Sequence, residues 1–335
     1  MTAMNRFDSS WFLIFLGLAI FILSRLIPSC TDKKINNTIV SSTYNSQTNE
    51  WHAPDSNYLS SSDDSNLIRY GKELIINTAK YFGPRGMIAR TSNGMNCQNC
   101  HTAAGTIPFG NNFSAVTSTY PKYRDRSGKL ETIEYRINEC FERSMNGKAI
   151  DSNSREMKAM IHYFKWLGKD VPKNARPIGS GTEELPFLNR AADTVKGRLV
   201  YIKNCQVCHG KNGQGILLID STGFAFPPLW GHDSYNTSAG MYRLTKLAGF
   251  IKNNMPFGTT QKKPRLTNEE SWDVAAFISS QPRPIKKFSY DWPKISTKPV
   301  DYPFGPYTDE FSETQHKYGP FQPIRNKKTK EQLLK

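Results

Sequence analysis

Asn96-Cys97-Gln98-Asn99-Cys100-His101 and, further along, Asn204-Cys205-Gln206-Val207-Cys208-His209 decide how this chain is to be read. In each, two cysteines stand three positions apart and a histidine follows the second directly. That string is the attachment signature of c-type haem: the thiols add across the porphyrin vinyl groups, and the adjoining imidazole takes one axial site on iron. A zinc ribbon would bring its Cys-x-x-Cys pairs within roughly 15 to 20 residues of each other, whereas Cys100 and Cys205 are 105 positions apart. A thioredoxin-like pair would need a βαβ setting. Two covalently bound haem c groups are therefore expected, on Cys97 and Cys100 and on Cys205 and Cys208, with His101 and His209 as iron ligands.

The remaining composition fits this. A chain of 335 residues has the length of about two domains. With 38% apolar and 22% charged residues, 19 Phe, 15 Tyr and 6 Trp, it has enough apolar material for packed cores, which excludes a wholly disordered chain. The formal charge of +15 admits an anion, an acidic protein, a nucleic acid or a membrane surface as partner. The Lys and Arg residues are scattered and accompany no recognised nucleic-acid fold, so no nucleic-acid partner is expected.

The start of the chain points to export. Trp11 to Leu23 is an apolar run of 13 residues, about 20 Å as a helix against a hydrocarbon core of about 30 Å. Residues 1–30 are read as a signal peptide or a membrane or lipid anchor. Leu26-Ile27-Pro28-Ser29-Cys30 looks like a lipoprotein cleavage site, which would tether the N-terminus to the membrane. Haem of this type is attached outside the cytoplasmic membrane, so a periplasmic location is expected. Residues 31–62, polar and rich in Ser, Asn and Thr, read as a flexible tether.

The expected fold class is all-α: two cytochrome c-like domains, 63–168 and 191–283, joined by a Pro- and Gly-rich linker at 169–190 and followed by an extended C-terminal tail at 284–335. Small c-type domains run helix, haem string, loop, further helices, distal ligand, closing helix, and this order occurs twice. In the second copy a helix at 191–204 carries Gly197, Val200 and Tyr201 at helical spacing before Cys205, and Gly213 and Gly215 mark a tight turn. Helices at 239–253 and 268–281 follow, the latter started by Thr267 with Glu270 three residues later. The first copy has helices near 65–80, 131–145 and 155–167.

The distal ligands carry the function. For the second haem, Met255 before Pro256 has the position of a distal thioether, with Met241 as competitor; thioether ligation raises a haem's potential. For the first haem, aligning the copies places Met145 opposite Met255. Yet Cys140 lies five residues earlier with no evident disulfide partner, and an unpaired thiol in an exported protein calls for an explanation. Steps of four put Arg136, Cys140 and Ser144 on one helix face, where cations and iron would favour a thiolate.

Over roughly residues 67–284 the chain resembles the thiosulfate dehydrogenases, dihaem c-type cytochromes that form tetrathionate, some members of which act as tetrathionate reductases. The resemblance is carried by Asn96 to His101, by Tyr120-Pro121-Lys122-Tyr123-Arg124-Asp125-Arg126, by Arg136 to Gly147, by Pro228-Leu229-Trp230-Gly231, by Ser234-Tyr235-Asn236 with Ala239-Gly240-Met241, and by Asn254-Met255-Pro256. It implies His101 and Cys140 on the first iron, in place of Met145, and a substrate pocket of Arg126, Arg136 and Ser144 with Cys140. For the second haem the family varies between a lysine and a methionine at adjoining positions; Asn254 occupies the first here, which leaves Met255 with His209. The implied activity is interconversion of thiosulfate and tetrathionate, with electrons relayed to a small redox protein or cytochrome. The alternatives are a dihaem electron carrier with no substrate of its own, in which Arg136 and Cys140 are structural, and a sulfur-carrier cytochrome working on a protein-bound substrate.

Overall fold

The computed structural model describes residues 44–333; the expected leader at 1–30, with Cys30, and the first part of the expected tether lie outside them. Among the described residues no helix is long and apolar enough to cross a membrane. The longer helices are α1 (Asp63–Ile76), α2 (Ile133–Arg143), α3 (Arg155–Leu167), α4 (Thr194–Asn204), α5 (Leu244–Asn254), α6 (Asn268–Ser280), α7 (Glu313–Tyr318) and α8 (Gln322–Leu333). Two small antiparallel hairpins, β1 (Lys122–Arg124) with β2 (Lys129–Glu131) and β3 (Ile216–Leu217) with β4 (Phe224–Phe226), project from the loops.

The helix starts follow from their caps. Ser62, Thr132 and Ser154 each accept a hydrogen bond from the backbone N–H three residues on, and Asp193 accepts from Val195 and Lys196, meeting donors that have no partner inside the helix. Thr267 and Glu270 form the reciprocal box expected from the sequence. The helix expected near 65–80 is interrupted at Asn77, whose φ of −119° is not helical, and resumes as Thr78–Phe82. The helix expected at 239–253 is a short turn at Gly240–Tyr242 followed by α5, because Arg243 is extended.

Each half is built on one helix crossing. In the first, α1 lies across α3 with Gly71 against the carbonyl of Ala159; in the second, α4 lies across α6 with Gly197 against the carbonyl of Asp273. A side chain at either glycine would run into backbone, so the smallest residue sets the approach of each pair. Around these crossings sit two apolar cores. One contains Leu74, Ile75, Phe82, Phe141, Met157, Met160 and Phe164; the other contains Tyr201, Trp230, Leu244, Leu247, Trp272 and Ile278.

Both flanking segments depart from expectation. The supposed tether is docked at Trp51, which is buried in the first core and whose indole N–H donates to the Leu167 carbonyl at 3.1 Å. A single large aromatic outweighed the polar composition around it. The tail expected to be extended carries α7 and α8 and contributes Phe321 and Ile324 to the second core. It also supplies Asp291, which accepts two hydrogen bonds from the buried Arg143 of α2, each 2.7 Å, and Asp301, which pairs with Arg243 and caps Thr245.

Gly71→Ala and Gly197→Ala are each expected to destabilise the chain by roughly 1–3 kcal/mol through overpacking at the crossing. The measurement is the denaturant midpoint at unchanged slope; an unmoved midpoint would mean that the crossings tolerate a Cβ.

Candidate functional site

The two Cys-x-x-Cys-His strings each close onto a cavity. Cys97, Cys100 and His101 line one of about 220 Å³, and Cys205, Cys208 and His209 line one of about 470 Å³. Each string is a helical turn, in which the histidine N–H donates to the carbonyl of the first cysteine, at 3.0 Å for His101 and 2.9 Å for His209. The first string is pinned by its neighbours: the Cys97 N–H donates to the Thr78 hydroxyl, and the Asn96 side chain accepts from Ala79 N–H. After the second, Gly213 and Gly215 take φ of +61° and +75°, the tight turn expected from the sequence.

The donor set fits haem c. In both sites the histidine Nδ1 is engaged by a backbone carbonyl, Asn111 at 2.6 Å for His101 and Pro227 at 2.8 Å for His209. This fixes ring and tautomer and leaves Nε2 for a metal, the usual outer-shell arrangement of a metal-ligating imidazole. Burial in an apolar wall lowers the pKa of both rings, that of His101 to about 4, so each is neutral and able to coordinate. The same burial pushes the Cys97 and Cys100 thiols up to about 12. Next to the second cavity, the Tyr235 hydroxyl and the Arg283 Nε and Nη1 groups are buried without a protein partner, and the guanidinium stacks 4.3 Å over the Tyr235 ring. Buried donors lacking acceptors are costly, and the propionate carboxylates of a haem would satisfy them.

Helix α2 forms the far wall of the first cavity. Its inward face carries Arg136, Cys140 and Ser144, brought together as the four-residue spacing implied, along with Ile137, Phe141 and Met145. Its other face carries Glu139 and Arg143, both buried. Arg136 donates to Glu139 at 3.0 Å, and its guanidinium is held above its ordinary pKa, first by Cys140 beside it and then by Glu139, against the effect of burial. Glu139 is held below the usual carboxylate range: burial works against its charge, but Arg136, Arg143 and Arg126 outweigh burial.

Arg126, expected in the pocket, is not among the residues that line this cavity. Its guanidinium is buried, donates to the Ser238 carbonyl at 3.2 Å and lies 3.9 Å from Asp291. The cations that do line the cavity with Arg136 are Lys122, Arg124 and Arg176. Alternation along β1 puts Lys122 and Arg124 on one side of the strand and Tyr123 on the other, a pattern visible in Lys122-Tyr123-Arg124. Arg176 comes from the interdomain linker, where no periodicity marks it.

At the second cavity both Met255 and Met241 are in the wall. The Met241 sulfur accepts from the Asn111 amide at 3.7 Å. Asn254 is absent from that wall; its amide donates to the carbonyls of Phe109 and Phe250. Met95, Asn96 and Cys100 line both cavities, so the two sites share a partition.

Comparison with known proteins agrees with this two-site arrangement. Residues 88–172 match the SoxA/TsdA cytochrome c domain and residues 194–282 the cytochrome c domain. The chain is 36% identical to a thiosulfate dehydrogenase of Psychrobacter arcticus, over 72% of this chain and 71% of that one. It is 39% identical to a thiosulfate dehydrogenase of Allochromatium vinosum, over 64% and 79%. The solved thiosulfate dehydrogenase TsdBA from Marichromatium purpuratum superimposes with a TM-score of 0.66 at 31% identity, over 72% of this chain; the match spans about half of that longer chain, 51%. Two cytochrome c domains, each with its own covalent haem c, and extensive identity to these relatives place the chain in the thiosulfate dehydrogenase family.

Proposed function

We propose that the protein joins two thiosulfates into one tetrathionate in the periplasm, at the first cavity, and passes the electrons through the second site to a small redox protein or cytochrome. The observation that carries this reading is the presence of Cys140 and Arg136, side by side, on the wall facing Cys97, Cys100 and His101. Four relatives named thiosulfate dehydrogenase support the substrate. Cys97, Cys100 and His101 would hold the first haem, with Cys140 as its further ligand, and Cys205, Cys208 and His209 would hold the second, with Met255. When bound, the two haems supply two one-electron acceptors, enough for the two electrons released per tetrathionate.

The protein's own residues must then overcome repulsion. Unit charges 4 Å apart interact by about 4 kcal/mol at an effective dielectric of 20, and two dianions repel about fourfold more. Arg136 offers its planar fork to sulfonate oxygens in directional, charge-assisted hydrogen bonds, and Ser144, one turn beyond Cys140, adds a hydroxyl. The Cys140 thiolate forms a bond to the terminal sulfur of one thiosulfate, giving Cys-S-S-SO3⁻ and releasing two electrons. The terminal sulfur of a second thiosulfate attacks the sulfur next to Sγ; that S–S bond breaks, tetrathionate leaves, and the thiolate is restored. The charges balance, from four negative on two thiosulfates to two on the product and two on the electrons. Each S–S step is in principle reversible, so the direction follows the potentials of the acceptors. Arg126 acts behind the cavity as a positioning residue, through Asp291 and Glu139.

At the second site Met255 is favoured over Met241 because the Met241 sulfur is already engaged by Asn111. Thioether ligation there and thiolate ligation at the first site would set the second haem higher in potential, so that electrons run outward from the pocket.

Cys140→Ser and Cys140→Met are expected to retain two covalent haems per chain while thiosulfate-dependent haem reduction falls by at least about a hundredfold, the scale of a lost covalent catalyst; near-normal turnover in either variant would remove Cys140 from the mechanism. Met255→Gly is expected to abolish the thioether spectral signature of the second haem and lower its potential, whereas Met241→Leu preserves both; the opposite result would assign the ligand to Met241.

A further inference from the structure

The first cavity holds more positive charge than one thiosulfate requires. Lys122, Arg124, Arg136 and Arg176 all line it, and among the described residues no Asp or Glu does. These cations form two groups with different origins. Arg136 stands on α2 beside Cys140 and Ser144. Lys122 and Arg124 stand on β1, two residues apart on one face of the strand, and Arg176 comes from the linker between the domains.

The second group is a set of like charges crowded together. Lys122 is held below its ordinary pKa, first by burial and then by Arg176 and Arg124, with only Asp125 acting in the other direction. Arg124 has a distant counter-ion, Glu131 at 4.0 Å, whose side chain also accepts from Ser127 at 2.8 Å. Three cations on two elements are turned towards one cavity, and Glu131, the carboxylate paired with Arg124, is not in its wall. Their positions are built: β1 is registered against β2, Lys122 opposite Glu131. The linker is fastened at Arg176 by the Asn49 amide, which donates to its carbonyl at 3.0 Å, and at Ala175 by the Ser118 hydroxyl.

We propose that Lys122, Arg124 and Arg176 form a second oxyanion subsite, which holds the attacking thiosulfate in the forward direction and the distal sulfonate of tetrathionate in the reverse. This deepens the functional reading above and rests on it, since the inner subsite of Arg136, Ser144 and Cys140 is where the first thiosulfate sits. The charge arithmetic suits the pair. Two thiosulfates bring four negative charges and the product keeps only two, so a cationic pocket holds the two reactants more strongly than the product. The outer subsite thus contributes proximity, setting the second nucleophile beside the sulfur it attacks.

The test uses the oxidised dihaem protein and two readouts. In calorimetric titration with sulfate, an inert dianion, the wild type is expected to bind two ions per chain and Lys122→Gln/Arg176→Gln one, with Lys122→Arg/Arg176→Lys restoring the second. In steady-state assays the Gln variant is expected to raise the KM for thiosulfate about tenfold, the loss falling mainly on KM, as for removal of partly exposed charges from a dianion. The KM for tetrathionate rises less, because its distal sulfonate carries one charge. A single sulfate on the wild type, or two retained on the Gln variant, overturns the subsite. Because sulfate binding needs no turnover, that failure is separate from failure of the thiosulfate reading, which would appear as a wild type that thiosulfate does not reduce.

Discussion

The register of α2 is fixed by a buried guanidinium. Arg143 is almost fully enclosed, donates twice to Asp291, pairs with Glu139 at 3.1 Å and lies 4.0 Å from the Phe288 ring. Leaving one partner of such a group unpaired costs about 3–5 kcal/mol, far more than a helix gains from any alternative packing of one surface residue. With Arg143 and Glu139 committed outward, the residues at Arg136, Cys140 and Ser144 have only the cavity to face. The cavity on one side of the helix therefore depends on a salt-bridge network on the other, and that network is completed by the C-terminal tail. The tail is part of the site's support although it contributes nothing to the cavity wall.

The second constraint is the thin partition between the cavities. Cys100 belongs to the first haem string and also lines the second cavity. Asn111 holds the His101 ring through its carbonyl, while its amide meets Met241 across the boundary. Electrons leaving the first site have a short covalent and hydrogen-bonded neighbourhood to cross. The proposed contrast in donors, thiolate on one side and thioether on the other, would give that crossing its direction.

Much of the fold was legible because it rests on local signals. The two haem strings, the box at Thr267 and Glu270, the glycines at 213 and 215, and the pairing of Arg136, Cys140 and Ser144 by fours are all set by spacing within a few residues. What stayed hidden depends on long-range partners. Arg126 was expected in the pocket from the resemblance, and its contacts with Ser238 and Asp291, both far along the chain, are ones that local spacing does not show. Trp51 sits in a polar stretch that composition reads as loose, and its partner is a carbonyl at the end of α3. Phe321 and Ile324 belong to a core whose other fully buried members end some forty residues earlier, at Ile278. Arg176 lies in a linker with no periodicity, so only the folded loop shows which way it points.

The central claim is that thiosulfate itself delivers electrons at the first cavity. Its most direct measurement is rapid mixing of the oxidised protein with thiosulfate alone, following the haem spectrum and assaying the sulfur product. The account predicts reduction of haem with one tetrathionate formed for every two electrons taken up. Haems that stay oxidised under thiosulfate yet accept electrons from a simple chemical reductant would contradict it and leave a protein that only carries electrons.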